Sequence, residues 1–161
     1  MSLTRLYLLA SVTVMAGRFY GPPYHEWNIW CDPHAAAIVY GTFKHVRSIG
    51  LDVTVRTTRP AAEIKKAWAP AGPTVAKAID VFAEQRDRIT LHDPLAAAAI
   101  VDESILQFEA GKISVETIGP ETDGVTVFRP NPDGPHEVAK QVDVDRFREN
   151  YERTLASARL R

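Results

Sequence analysis

The sequence predicts an α/β layered domain covering residues 1–161, with strands alternating with helices and a β-hairpin in the second half. Three observations lead there. β-Branched runs alternate with stretches of helical spacing through the first half of the chain. Two Asp-Pro starts, "DPHAAAIV" at 32–39 and "DPLAAAAIV" at 93–101, open alanine-rich helices. A length of 161 residues, 45% hydrophobic and 24% charged, is enough to bury one real core.

A strand is expected near 11–16, then an irregular stretch of Gly, Pro and aromatic residues from 17 to 31. Asp32 caps the next helix and Pro33 takes its first position, where a missing N–H costs nothing. Apolar on most sides, "PHAAAIVYGTF" is predicted to be buried. "HVRSIGLDVTVRT" at 45–57 reads as one or two strands around Gly50. Pro60 starts a helix with Ile64, Ala67 and Trp68 on one face, and "PAGP" at 70–73 ends it. Val75, Ile79 and Phe82 mark a further helix, and the alanine-rich helix follows from Pro94. "KISVETI" and "GVTVFRP" form the hairpin, with Ile113, Val115, Val125 and Val127 facing a core. A short strand near 137–142 precedes a last helix carrying Phe147, Tyr151 and Leu155, with Asp143 and Asp145 at its start.

A formal net charge of −1, with neither sign in long runs, gives no footprint for nucleic acid or an anionic membrane. The single cysteine, Cys31, excludes an intrachain disulfide and fits a reducing, cytoplasmic location. "LYLLASVTVMAG" at 6–17 reads as the apolar core of a leader peptide, or, in its part "SVTVMAG" at 11–17, as a buried strand ending at a glycine; it is too short to span a bilayer.

Two stretches carry polar groups suited to chemistry. In "YHEWNIWCDP", Glu26 and Asn28 share one face of an extended segment, while Trp27 and Ile29 point into the core. A carboxylate beside an amide suits a polyhydroxylated ligand: one accepts two hydroxyl hydrogens and the other both donates and accepts. The same two groups also serve a loop packed by its tryptophans. In "LHDP", Asp93 reads as a helix cap, as Asp32 does, whereas His92 has no capping role and reads either as a proton donor near neutral pH or as a histidine merely tolerated at a buried helix start. No dinucleotide, Walker, zinc-protease, Cys-x-x-Cys or EF-hand pattern occurs in the sequence.

Taken in order, "VMAG", "EWNIWCDPHAAAIV", "GLDVT", "LHDPLAAAAIVD", "VET…GVTV" and "VDVDRF" resemble the C-terminal portion of the inosine-uridine-preferring nucleoside hydrolases, from about residue 12 to about 155. The resemblance implies the C-terminal part of that family's layered fold and hydrolysis of the N-glycosidic bond of ribonucleosides. It assigns Glu26 and Asn28 to ribose, His92 to the acid that protonates the departing base, and Asp93 to calcium, leaving Asp32 as a plain helix start. The family's D-T-D-x-G-x-D-D cluster, which supplies most metal ligands and the catalytic base, does not occur in this sequence, and "GRFYGPPYH" holds no Asn where the family has a Gly-Asn pair. One carboxylate does not make a calcium site that needs six to eight oxygens. The expectation is therefore a chain inactive alone, completed by an N-terminal chain or self-associated to cover exposed sheet edge and apolar helix faces. The alternatives are a non-catalytic ligand-binding or interaction module, and a hydrolase with a rearranged site.

Overall fold

The computed structural model describes residues 11–84 and 86–158. The chain divides into two compact units: Met1–Val53 with Leu106–Gln141, and Thr54–Ile105 with Val142–Arg161.

The first unit is built on a five-stranded sheet. β1 (Val12–Val14) pairs in parallel with β2 (Val46–Ser48), and β2 in parallel with the strand His136–Val142; the order is completed by the antiparallel pair Leu106–Val115 and Thr126–Pro130. Val46 lies opposite Val12 on one side and His136 on the other. Helices α1 (Trp27–Cys31) and α2 (Pro33–Thr42) connect β1 to β2. Ala16, Ile29, Tyr40, Val46, Ile113 and Val138 form the buried centre. Asp32 accepts from the Ala35 N–H at 2.8 Å and Pro33 follows it, so the predicted capping of α2 is present. α2 is only partly buried, however: Ile38 is exposed.

Four predictions on these elements need correction. Of "HVRSIGLDVTVRT", only Val46–Ser48 is strand; α3 (Leu51–Thr54) and a 3-10 turn over Val55–Thr57 follow. Local hydrogen bonds override the β-branched composition, because the Thr57 hydroxyl donates to Thr54 O at 2.7 Å and closes the turn. In the hairpin, Ile113 faces Phe128 across the ladder, and Val115 faces Thr126. Phe128 therefore packs against the core while Val127 is 38% exposed, the inversion expected when a strand register differs by one residue. The segment at 26–31 is helical rather than extended, and Trp27 is 67% exposed. Finally, the alanine-rich helix begins at His92, two residues before Pro94.

The second unit pairs β3 (Arg59–Pro60) with β4 (Arg88–Ile89), antiparallel. Around this short ribbon stand α4 (Ala61–Trp68), α5 (Pro73–Ala83), α6 (His92–Val101) and α7 (Val144–Ala158). Ile64, Leu95, Ile105 and Phe147 are fully buried, and the Trp68 ring lies 5.3 Å from Tyr151. Asp143 accepts from the Arg146 N–H at 3.0 Å, the cap predicted for the last helix. α6 is apolar on all sides, yet Ile100 and Val101 are exposed.

No described helix is long and apolar enough to cross a membrane. The leader-like reading of 6–17 falls partly on residues outside those described; within it, Val12–Val14 is a strand.

Candidate active-site residues

In the first unit Glu26 is a buried carboxylate, 4% exposed, at the N-cap of α1. Its Oε2 accepts from Gly17 N at 3.0 Å and Ile29 N at 3.3 Å, and its Oε1 accepts from Asn28 N at 3.0 Å. These three bonds occupy three of the roughly four lone-pair positions of a carboxylate. One position remains on Oε1, so Glu26 has room for one hydroxyl hydrogen rather than the two expected from the sequence. Asn28 is exposed, and its amide donates to Met15 O at 3.0 Å. The helical turn brings Glu26 and Asn28 together through the Asn28 N–H, where the sequence suggested a shared face of an extended segment.

The Gly17–Tyr20 loop that meets Glu26 is held by three side chains. Besides Glu26 on Gly17 N, Thr126 Oγ1 accepts from Arg18 N at 3.1 Å and donates to Arg18 O at 2.8 Å. Asp52 accepts from Phe19 N at 2.7 Å and Tyr20 N at 3.2 Å. Gly17 sits at φ 84, and a Cβ there would meet the Phe19 ring at 2.4 Å, so any other residue is strained and must displace that ring.

In the second unit His92 begins α6, and its Nδ1 lies 2.8 Å from the hydroxyl of the fully buried Thr54. Thr57, also buried, accepts from the Leu91 N–H at 3.0 Å. These two threonines therefore fix the backbone and the ring at this helix start. They were not singled out from the sequence; the Thr-x-x-Thr spacing of "TVRT" at 54–57 is the only signal they leave.

Asp93 differs from its expected role. Leu91, not Asp93, is the N-cap, and no side chain caps α6. Among the described residues the exposed Asp93 carboxylate has no hydrogen bond or ion pair. Its chemistry fits one oxygen ligand of a hard cation. No group of three or more His, Cys, Asp or Glu residues able to hold a metal occurs among the described residues, so these residues do not by themselves supply the six to eight oxygens calcium takes.

Comparison with known proteins identifies the family. Residues 6–149 match the family described as inosine-uridine preferring nucleoside hydrolase. The chain is 29% identical over 151 residues to the inosine-uridine preferring nucleoside hydrolase of Leishmania major, covering 84% of this chain and 48% of that protein. It is 31% identical over 132 residues to the pyrimidine-specific ribonucleoside hydrolase RihA of Enterobacter sp. (strain 638), covering 74% and 42% respectively. Among solved structures, a purine-preferring ribonucleoside hydrolase from Gardnerella vaginalis superposes with a TM-score of 0.76 at 28% identity, over 92% of this chain and 52% of that one. A plant nucleoside hydrolase shares the fold with a TM-score of 0.69 at 23% identity, over 91% of this chain and 54% of that one. The chain thus spans about half the length of the relatives it matches.

Proposed function

Because the chain belongs to the inosine-uridine preferring nucleoside hydrolase family, we propose that it carries part of the machinery that cleaves the N-glycosidic bond of ribonucleosides. In that reaction water adds to C1′ of the ribose, the C1′–N bond breaks, and its electron pair leaves on the base. His92 is the acid that protonates the departing base. The observation that carries this reading is the His92–Thr54 bond at 2.8 Å. With Nδ1–H donated to a buried hydroxyl, the ring is oriented and the transferable proton rides on Nε2. Glu26 accepts one ribose hydroxyl through Oε1, and Asn28 contributes its amide. Such contacts accelerate the reaction to the extent that they strengthen as the sugar flattens.

Asp93 is one carboxylate ligand of a calcium ion whose other ligands come from outside the described residues. The same shortfall of ligands supports a chain that does not turn over nucleosides alone, and that works with a complementary chain or a second copy. The exposed Ile38, Ile100 and Val101 on otherwise apolar helices are the surfaces such a partner would cover. The absence of a metal cluster among the described residues also favours a second reading, in which the chain binds a nucleoside or ribose without hydrolysing it.

Incubation with inosine or uridine plus calcium, assayed for free ribose, tests these readings. The expected result is no release by the chain alone; robust release that His92→Ala abolishes overturns the inactivity. Thermal stabilisation by inosine or ribose without release selects the binding reading. If neither release nor stabilisation is seen, even after addition of a chain carrying D-T-D-x-G-x-D-D, both readings fail.

A further inference from the structure

Glu26 is nearly sealed from water, and a carboxylate in that position is costly to bury unless donors face it. One of its donors has a second connection. The Gly17 N–H that reaches Glu26 belongs to the Ala16–Gly17 peptide, whose carbonyl oxygen, Ala16 O, accepts from Ser48 Oγ at 2.8 Å. Ser48 has a single proton and a carbonyl can only accept, so that proton is committed to Ala16 O. The Tyr40 hydroxyl lies 2.8 Å from Ser48 Oγ and must therefore be the donor in that pair. The proton direction along the chain is fixed by chemistry: Tyr40 O–H to Ser48 O–H, to the Ala16 carbonyl, and out through the Gly17 N–H to Glu26.

Every member is buried. Burial first, with a smaller push from the Glu26 charge and against a lowering contribution from the bond to Ser48, raises the Tyr40 phenol to about 12, so it remains a donor across neutral pH. The Tyr40 backbone is held as well, because His136 Nε2 donates to Tyr40 O at 3.0 Å while its Nδ1 accepts from Ile113 N at 2.8 Å.

We propose that Tyr40 and Ser48 are positioning residues for Glu26, acting through the Ala16–Gly17 peptide to hold its carboxylate aimed so that Oε1 keeps its one open acceptor position. Hydrogen bonds in series polarise one another in a low-dielectric interior, so removing a distant donor weakens the last bond of the series. Glu26's role toward ribose rests on the function proposed above; the relay itself does not.

The test follows the Gly17 amide by NMR and hydrogen exchange in the full chain, in Tyr40→Phe, Ser48→Ala and Glu26→Gln. The Glu116 amide, which bonds Val125 O at 2.9 Å in the hairpin and lies outside the relay, reports global loss of stability. Tyr40→Phe and Ser48→Ala should each shift the Gly17 amide proton upfield and speed its exchange roughly two- to tenfold, with Glu116 unmoved. Glu26→Gln should move the same proton in the same direction. A Gly17 amide that is unchanged in Tyr40→Phe, or that moves only in step with Glu116, overturns the relay. An inosine titration observed at the Asn28 amide separates the two layers. No response in the unmodified chain sinks the ribose role of Glu26, while the Gly17 result still decides the relay.

Discussion

Asp32–Pro33 and Asp93–Pro94 open two alanine-rich helices with almost the same words, yet the two aspartates do different things. Asp32 accepts from the Ala35 N–H at 2.8 Å and is the N-cap of its helix. Asp93 is not a cap: it is the second residue of a helix that begins at His92, with Leu91 as N-cap. The cause is tertiary. Thr57 holds the Leu91 N–H and Thr54 holds the His92 ring, so the chain is fixed before Asp93 is reached. A carboxylate relieved of capping is left exposed and unengaged among the described residues, as a ligand would be. Identical local signals thus give a structural aspartate in one unit and an available one in the other.

Acid should affect the first helix most. His136 holds Tyr40 O of α2 with Nε2–H and accepts from Ile113 with Nδ1, so protonation at Nδ1 breaks the second bond. Burial, first, together with the facing charges of Lys112 and His45, holds its pKa below the ordinary 6.5, against a raising contribution from the bond to Tyr40. With the folded-state pKa depressed, this stabilisation is complete above about pH 6.5 and is lost as the pH falls below it. The loss is at most about 1.4 kcal/mol per pH unit. Amide exchange at Ile113 should accelerate accordingly in acid, and a flat profile from pH 7 to 5 would remove His136 as the latch of α2.

At the second helix start, Thr54→Val keeps the side-chain volume but deprives His92 of its partner. A cost of about 1–3 kcal/mol in urea unfolding is expected. A neutral result would show that the threonine does not hold the ring. Asp32→Ala should cost about 1 kcal/mol, the usual loss for a capping acceptor. Asp93→Asn should be the mildest, about 0.3 kcal/mol from the helix dipole alone. Equal costs for Asp32→Ala and Asp93→Asn would erase the distinction drawn between them.

Much of this was legible in the residues. The Asp32 cap, the hairpin, the last helix and its Asp143 cap follow from local rules that the structure obeys. The misreadings share one origin. "GLDVTVRT" looks extended because its residues are β-branched, but a threonine hydroxyl can bond the backbone three residues away and close a turn. Trp27 looked like a core residue because alternation was assumed, whereas Glu26 captures the N–H groups of Asn28 and Ile29 and winds the segment into a helix that turns Trp27 outward.

The family signature, with His92, Asp93, Glu26 and Asn28 as its candidate residues, was present in sequence order and needed no coordinates. What sequence order could not give is which hydrogen bond each of those residues already makes. Glu26 has one acceptor position left, Asp93 has its whole carboxylate, and His92 leans on Thr54, because a polar group's availability depends on distant partners that only folding brings within 3 Å.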